Sequence, residues 1–309
     1  MKNTLKTILG GSLRGLETTG ARIKRSPLSR WGCGRSLTDA VLWPCDYVKN
    51  VQYYRSAFGA PPRVFRARTF NEKIIRAKLI NRKKRHIQFA DKLAARAIVE
   101  EKVGADALAN IHWTGTDLLE ARAADLPDRF VVKANHGWNT VLLARSAAAF
   151  DWTAARPITA GWLRSDHSDL AGEWQYRWIK PRLYIEEFLE GEGGEPPPDY
   201  KFFCFHGRVE FLAVDRDRFS SVTRVLHGRN FERLPFGYAY PRHANSNPRP
   251  ERFEEMIAIA ETLSAGEPFL RVDLYDAGRP IFGELTLHPG SGFDPFDPPE
   301  WDETFGALI

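Results

Sequence analysis

The chain has 309 residues, enough for one large domain or two to three smaller units around a buried core. Its apolar and charged fractions, 43% and 27%, are those of an ordinary globular protein, and no apolar run approaches the roughly 20 residues of a membrane span. The formal charge of +5 suits an anionic partner. The excess is local, however: Lys2, Lys6, Arg14, Arg22, Lys24, Arg25, Arg30 and Arg35 face only Glu17, and the remainder is close to balanced, which argues against a nucleic-acid channel.

The first 50 residues read as a basic N-terminal extension with weak periodicity. Their acid-poor character is compatible with an organellar transit segment, with a disordered extension, or with a basic arm resting on anionic lipid through residues 1–38. The arm or the disordered extension is the preferred reading, so the protein is expected to be cytoplasmic, with a peripheral membrane contact. Cys33, Cys45 and Cys204 are odd in number and lack metal-type spacing, which fits a reducing compartment.

A helical subdomain is expected over residues 51–125. In "FNEKIIRAKLINRKK", Asn71 reads as an N-cap, with Ile74, Ile75, Leu79 and Ile80 at helical spacing. A second helix starts at Asp91 and stops at Gly104, with Leu93, Ala97, Val99 and Val103 as its apolar positions. Residues 126–190 read as a further subdomain. There "RFVVKANHGWNTVLLA" is strand, loop, strand, and "PRLYIEEFLEG" is a strand ending in glycine.

The last subdomain spans 191–309. After Pro196-Pro197-Pro198, "DYKFFCFHGRVEFLAVDRDRF" is a hairpin turning at His206-Gly207, and a helix covers Glu251 to Leu263. The final hairpin, "RVDLYDAGRPIFGELTLHPGSG", turns in "DAGR". A four-residue loop there pairs Asp273 with Phe282 and puts Glu284 on Asp273's face. Strands grouped in hairpins with helices between them predict an α+β fold, not a parallel sheet. Neither GxGxxG nor GxxxxGK[ST] occurs.

Several charges sit where strands want apolar residues. Asp273 and Glu284 on neighbouring strands repel unless a cation lies between them, and oxygen-only ligands favour magnesium or manganese. A solvated sheet face is the alternative. Lys133 ends an apolar strand beside a glycine-bearing loop, which suits a phosphate or a lysine reaching for solvent. Glu186 and Glu187 interrupt one strand, Asp199 and Lys201 another, and Arg216 and Arg218 end the returning strand. Cations for phosphate and acids for ribose or metal are the equipment of ATP-dependent phosphoryl transfer. His136, Trp138 and His288 lie near this set, and Ser291 reads as a turn residue.

The ordered runs "FNEKI", "ADKLAARAIV", "FVVKANHG", "EWQYRWIKPRLYIEEFL", "DYKFFCFHG", "VDRDRF" and "PFLRVDLY…GELTLHPGSGF" resemble the TupA-like ATP-grasp family, over roughly residues 55–309. That family is linked to teichuronopeptide and cell-surface polysaccharide biosynthesis. The resemblance implies an ATP-grasp fold, with two α+β subdomains gripping ATP between them. It implies that Lys133, with His136 and Gly137 of the following loop, holds ATP phosphates, and that Glu186, Glu187 and Leu189 form the adenine hinge. It also implies that Asp199 lies near ribose and Lys201 near the phosphates or an acyl-phosphate. Asp273 and Glu284 would ligate magnesium or manganese, with Arg271 neutralising the transferred phosphoryl group. Thr286 stands where many ATP-grasp enzymes carry asparagine, as a third metal position, and "HGWNT" has fewer glycines than the usual loop.

The activity implied is a carboxylate–amine or carboxylate–thiol ligase working through an acyl-phosphate on saccharide or amino-acid substrates. A sugar kinase of the same fold and a nucleotide-binding module without turnover are the alternatives.

Overall fold

In the computed structural model, residues 32–216 and 222–309 are described. The N-terminal extension before residue 32 and Arg218 of "VDRDRF" lie outside them. Helix α1 (Gly32–Phe58) carries Pro44 in its interior. It is tied down by Asp46, which accepts from Arg177 at 2.8 Å and from Arg82 at 2.7 Å.

Helix α2 (Phe70–Ile80) begins at Thr69, not at Asn71. The Thr69 hydroxyl accepts from the Glu72 backbone N–H while the Glu72 carboxylate reaches back to the cap, a reciprocal capping box. Asn71 lies inside the helix, buried, and donates to the Asp294 carbonyl at 2.9 Å. After α3 (Arg85–Ala90), α4 (Lys92–Val103) starts at its Asp91 cap and ends at Gly104, as its sequence predicts. Its buried positions are Ala95 and Val99, whereas Ala97 is exposed, because the helix presents a narrower face than spacing alone suggested.

The strands form two antiparallel sheets. The first joins β1 (Ile111–Gly115), β2 (Phe130–Ala134), β3 (Val141–Ala144) and β4 (Leu183–Glu187) in the order β1-β4-β2-β3. Strand β1, in a stretch read as helical, is an addition to the sequence reading. One face, with Phe130, Val132, Leu183 and Ile185, packs on α5 (Trp152–Arg164) through Ala155, and the short α6 (His167–Ala171) follows. Period-2 alternation leaves Val131, Lys133, Tyr184 and Glu186 on the other face.

The second sheet runs β10-β9-β5-β6-β7, from β5 (Asp199–Phe205), β6 (Arg208–Arg216), β7 (Thr223–Gly228), β9 (Phe269–Asp276) and β10 (Pro280–Thr286). The β5–β6 turn falls at His206 and Gly207, both at positive φ of 50° and 80°. Such a two-residue turn matches the twist of the strands it joins. Phe202, Leu212, Val272 and Leu274 pack against α7 (Phe253–Ser264) and α4 on one face. On the other face, Phe203, Phe205 and Phe211 meet Phe70 of α2 and Phe305 of α8 (Glu300–Gly306). A short two-stranded pair, β8 (Gly237–Tyr238) with β11 (Phe296–Asp297), borders that aromatic core.

The β9–β10 register departs from the expected one. Asp276 pairs with Pro280, so three residues turn instead of four, and a bulge at Gly283 follows. A three-residue turn alone would set Glu284 on the core face. The bulge restores it, and Glu284 lies directly opposite Asp273 with Thr286 opposite Arg271.

Candidate functional site

The second face of the large sheet changes character along its length. At one end it is aromatic; at the other it carries Asp199, Lys201, Arg271, Asp273, Glu284 and Thr286, all on cross-strand positions. Arg271 clamps Asp273 with two donors at 2.7 Å each and reaches Glu284 at 3.1 Å. Lys201 donates to Asp273 at 3.1 Å and to Asp199. The Thr286 hydroxyl donates to Glu284 at 3.1 Å. Three carboxylates and three cations, Lys92 completing the latter, thus share one nearly buried patch.

Burial opposes ionisation of Asp273, and this outweighs the pull of Arg271 and Lys201, so its carboxyl is raised above the usual range. Glu284 moves the other way. Burial would raise it, but Lys92, Arg271 and Lys201 hold it down at about 2. For Lys201 and Arg271, burial is more than offset by the neighbouring carboxylates, and both are raised above their ordinary values. Two opposed carboxyl groups that share Arg271 are therefore pushed apart in acidity by their surroundings.

On the smaller sheet, Lys133 and Glu186 share a face and form an ion pair, both largely buried. Burial works against the Lys133 charge, and Glu186 more than compensates, so the ammonium persists well above the usual lysine range. This ammonium lies 6.0 Å from the ring of Tyr275, on β9 of the other sheet. The two polar faces therefore meet across a cleft. Glu187 points elsewhere: it accepts from Asn110 at 2.8 Å and faces Arg279 of the β9–β10 turn at 3.9 Å. Leu189 follows β4, half-buried, where the chain leaves the sheet.

The loop after Lys133 is fixed by a residue that the sequence reading did not assign. Lys92, first residue of α4, donates to the Gly137 carbonyl at 2.7 Å and pairs with Glu284 at 3.2 Å. It joins the loop of one sheet to the carboxylates of the other. Its sequence signal is the lysine of the "ADK" run that carries the family resemblance. Asn135 anchors the same loop, donating to Asp91 at 2.9 Å and accepting from the Arg182 N–H at 2.8 Å. Gly137 sits at φ +82°, and a Cβ there would lie 2.3 Å from the His167 ring. The close approach leaves room only for glycine.

The His136 imidazole is buried against the Trp162 carbonyl at 3.1 Å and Asn135 Oδ1 at 3.3 Å, away from the carboxylate cluster. Trp138, 37% exposed, packs edge-on to His167 and near Tyr176. His288 is buried and Ser291 nearly so, in a network in which Ser291 Oγ donates to Glu173 and His288 Nδ1 lies 3.4 Å from that carboxylate. Arg216, at the end of β6, donates to Asn247 at 3.2 Å and does not join the cluster.

Whether these residues fit a divalent ion is a question of donor chemistry. Asp273 and Glu284 supply hard oxygens, directly opposed, where side chains of an antiparallel pair stand about 5 Å apart. Thr286 adds a hydroxyl oxygen. That set fits magnesium or manganese, although among the described residues no cluster of three or more His, Cys, Asp or Glu is shaped as a metal cage.

A family model described as TupA-like ATPgrasp matches residues 72–309. No curated protein matches the chain. Among solved structures, an L-amino acid ligase from Bacillus licheniformis is 15% identical, with a TM-score of 0.44, 72% of this chain and 49% of that one being covered. An ADP complex of purK, N5-carboxyaminoimidazole ribonucleotide synthetase, is 16% identical (TM-score 0.40; 65% and 45% covered). A D-alanine–D-alanine ligase from Bacillus anthracis complexed with ATP is 14% identical (TM-score 0.33; 64% and 53% covered). The chain spans about half the length of these structures.

Proposed function

The chain belongs to the TupA-like ATP-grasp family, and from that premise we propose that it is an ATP-dependent carboxylate–amine ligase acting through an acyl-phosphate. The observation that carries this reading is the opposed pair Asp273 and Glu284, laced with Arg271, Lys201 and Lys92 and facing Lys133 across the cleft.

Binding of ATP would exchange ion pairs within this cluster. Phosphate oxygens would take the cations Lys133, Lys201, Arg271 and Lys92, which releases Asp273, Glu284 and Thr286 for magnesium. Magnesium bound there would neutralise charge on the phosphates. Glu186, Leu189 and their neighbours would face the adenine, Asp199 the ribose, and the loop carbonyl and N–H groups around His136 and Gly137 the phosphates. A substrate carboxylate then attacks the γ-phosphorus and ADP leaves. An amine attacks the acyl carbon, the bond to the former carboxylate oxygen breaks, and inorganic phosphate leaves with that oxygen while the nitrogen gives up one proton to the phosphate or to solvent. Arg271 and Lys201 hold the charge that develops on the transferred group. The chain's task is positioning and charge neutralisation, with no covalent enzyme intermediate.

Family membership favours a substrate from cell-surface polysaccharide or peptidyl-polysaccharide assembly, such as a uronic acid joined to an amino acid or amino sugar. A thiol acceptor would use the same first half-reaction. Among the described residues no helix is long and apolar enough to cross a membrane. We retain the reading of a cytoplasmic enzyme with a basic N-terminal arm.

The test is incubation with ATP, magnesium and a panel of uronic acids, amino sugars and amino acids, read as phosphate release and product mass. Asp273→Asn with Glu284→Gln should lower turnover by about three orders of magnitude, the scale of losing charge stabilisation in a dry site. Phosphate transfer to a sugar hydroxyl without an amine would replace the ligase by a kinase. Failure to bind ATP would remove both.

A further inference from the structure

We propose that a cavity beside the cleft is a second binding site, for a small amphipathic anion with an apolar body and one carboxylate. The cavity has a volume of about 450 Å³ and lies between α2, the start of α3 and the strand ends that lead into the cleft. Phe269 precedes Arg271 by two residues on β9, and His288 follows Thr286 by two residues past β10.

Its polar floor is unusual. His86 is only 3% exposed, yet neither ring nitrogen makes a hydrogen bond among the described residues. Its Nε2 lies 3.6 Å from Glu267 Oε2, where, against the burial that would raise it, the imidazole helps hold that carboxyl below its ordinary range, and Nδ1 has no hydrogen-bond partner among the described residues. A native core rarely leaves a ring nitrogen unused. A second carboxylate entering the cavity would favour the imidazolium, whose Nδ1–H its oxygen can accept.

Charge decides which ligand. The one carboxylate side chain in the lining, Glu267, is already matched by Arg85 at 2.6 Å and Lys83 at 3.9 Å. Lys73 and Arg76, also lining the cavity, make no ion pair among the described residues. An incoming carboxylate meets two uncommitted cations and the His86 donor, whereas an amine meets like charge. Beside the polar His288 and Asn81, the wall carries Ile74, Ala77, Ile80 and Leu287, which would cover a hydrocarbon or aromatic body.

The site stands independently of turnover in the cleft, and its test reads binding alone. Calorimetric titration of the full chain would use 3-phenylpropanoate and octanoate as probes, each against its amine, 3-phenylpropylamine and octylamine. One carboxylate should bind saturably at one per chain, at least fivefold tighter than its amine. Lys73→Ala with Arg76→Ala should weaken it about tenfold. His86→Phe, which keeps a ring against Phe89, should weaken it severalfold, and Ala77→Trp should fill the space and abolish binding. Circular dichroism checks that each variant folds. Absence of saturable binding by either acid, preference for the amines, or indifference to both the charge and the His86 variants would overturn the site. So would displacement of the acid by a non-hydrolysable ATP analogue, which would place it in the cleft.

Discussion

Lys92 holds together two things that lie on different sheets, the Gly137 carbonyl and the Glu284 carboxylate. Hydrogen bonds to charged groups are worth about 1.5–3 kcal/mol, so Lys92→Met should lower kcat/KM for ATP by roughly 10- to 100-fold in any reaction the cleft supports. The same substitution should change the response to acid. Glu284 is depressed from 4.5 to about 2, so its contribution to stability is complete above 4.5 and is lost as pH falls through 2. Without Lys92, its largest cationic partner, the folded-state value moves back toward 4.5, so that loss should be smaller and complete at higher pH, as urea denaturation between pH 2 and 6 would show. An unchanged acid limb would remove Lys92 from the account. Gly137→Ala should act on the same loop, because a methyl cannot stand 2.3 Å from the His167 ring. Weaker ATP binding at preserved fold is the expected outcome, measured by equilibrium titration. At this scale the sequence was informative where a charge interrupted an apolar strand, as at Lys133 or Asp273. It was silent about Lys92, since a lysine at the start of a helix looks like any solvated charge until its partners across the fold are known.

The β9–β10 hairpin shows how much an element leaves to geometry. Alternation placed acids on one face, and that placement holds, but the turn is one residue shorter than its "DAGR" signal suggested. The bulge at Gly283 compensates, and two errors in register cancel at Glu284. A glycine is needed there: an added Cβ would meet the Asp273 carbonyl and the Tyr275 ring, each at 3.1 Å. Gly283→Val should therefore push β10 from β9 by a few tenths of an ångström and cost about 1–3 kcal/mol, as overpacking does. Its signature is a joint loss of thermal stability and of magnesium-dependent ATP binding; retention of both would show that the bulge tolerates a side chain. Helix ends followed the same pattern. Asp91 and Gly104 bracket α4 as their residue types predict, because capping is local chemistry. The α2 cap was misplaced by two residues because threonine and asparagine both cap well. The choice fell to Glu72, which closes its box on Thr69 and also accepts from Arg63 and Arg68.

Across the whole molecule, what the sequence could not show is which faces oppose each other. Each sheet buries one apolar face in its own core, clusters that periodicity marks in advance. The meeting of the two polar faces depends instead on long-range contacts: Lys133 over Tyr275, Glu187 near Arg279, and Lys92 reaching the Gly137 carbonyl. Each of these three contacts involves a charged side chain, and charged pairs with some exposure contribute little individually. The apolar clusters behind the two sheets are each built within one sheet and the segments packed on it. A ligand gripped by both faces should therefore add a substantial fraction to the stability of their arrangement. By linkage, a ligand that binds only the folded chain contributes about 2.7 kcal/mol at one hundred times its dissociation constant. Magnesium-ATP should raise the unfolding midpoint by several degrees, with ATP alone giving less, since the cations would then be engaged without relief of the opposed carboxylates. In Asp273→Asn with Glu284→Gln, the increment due to magnesium should vanish while that of ATP persists through Lys133, Lys201 and Arg271. Equal shifts with and without magnesium in the unsubstituted protein would mean that the opposed carboxylates serve the fold and not an ion.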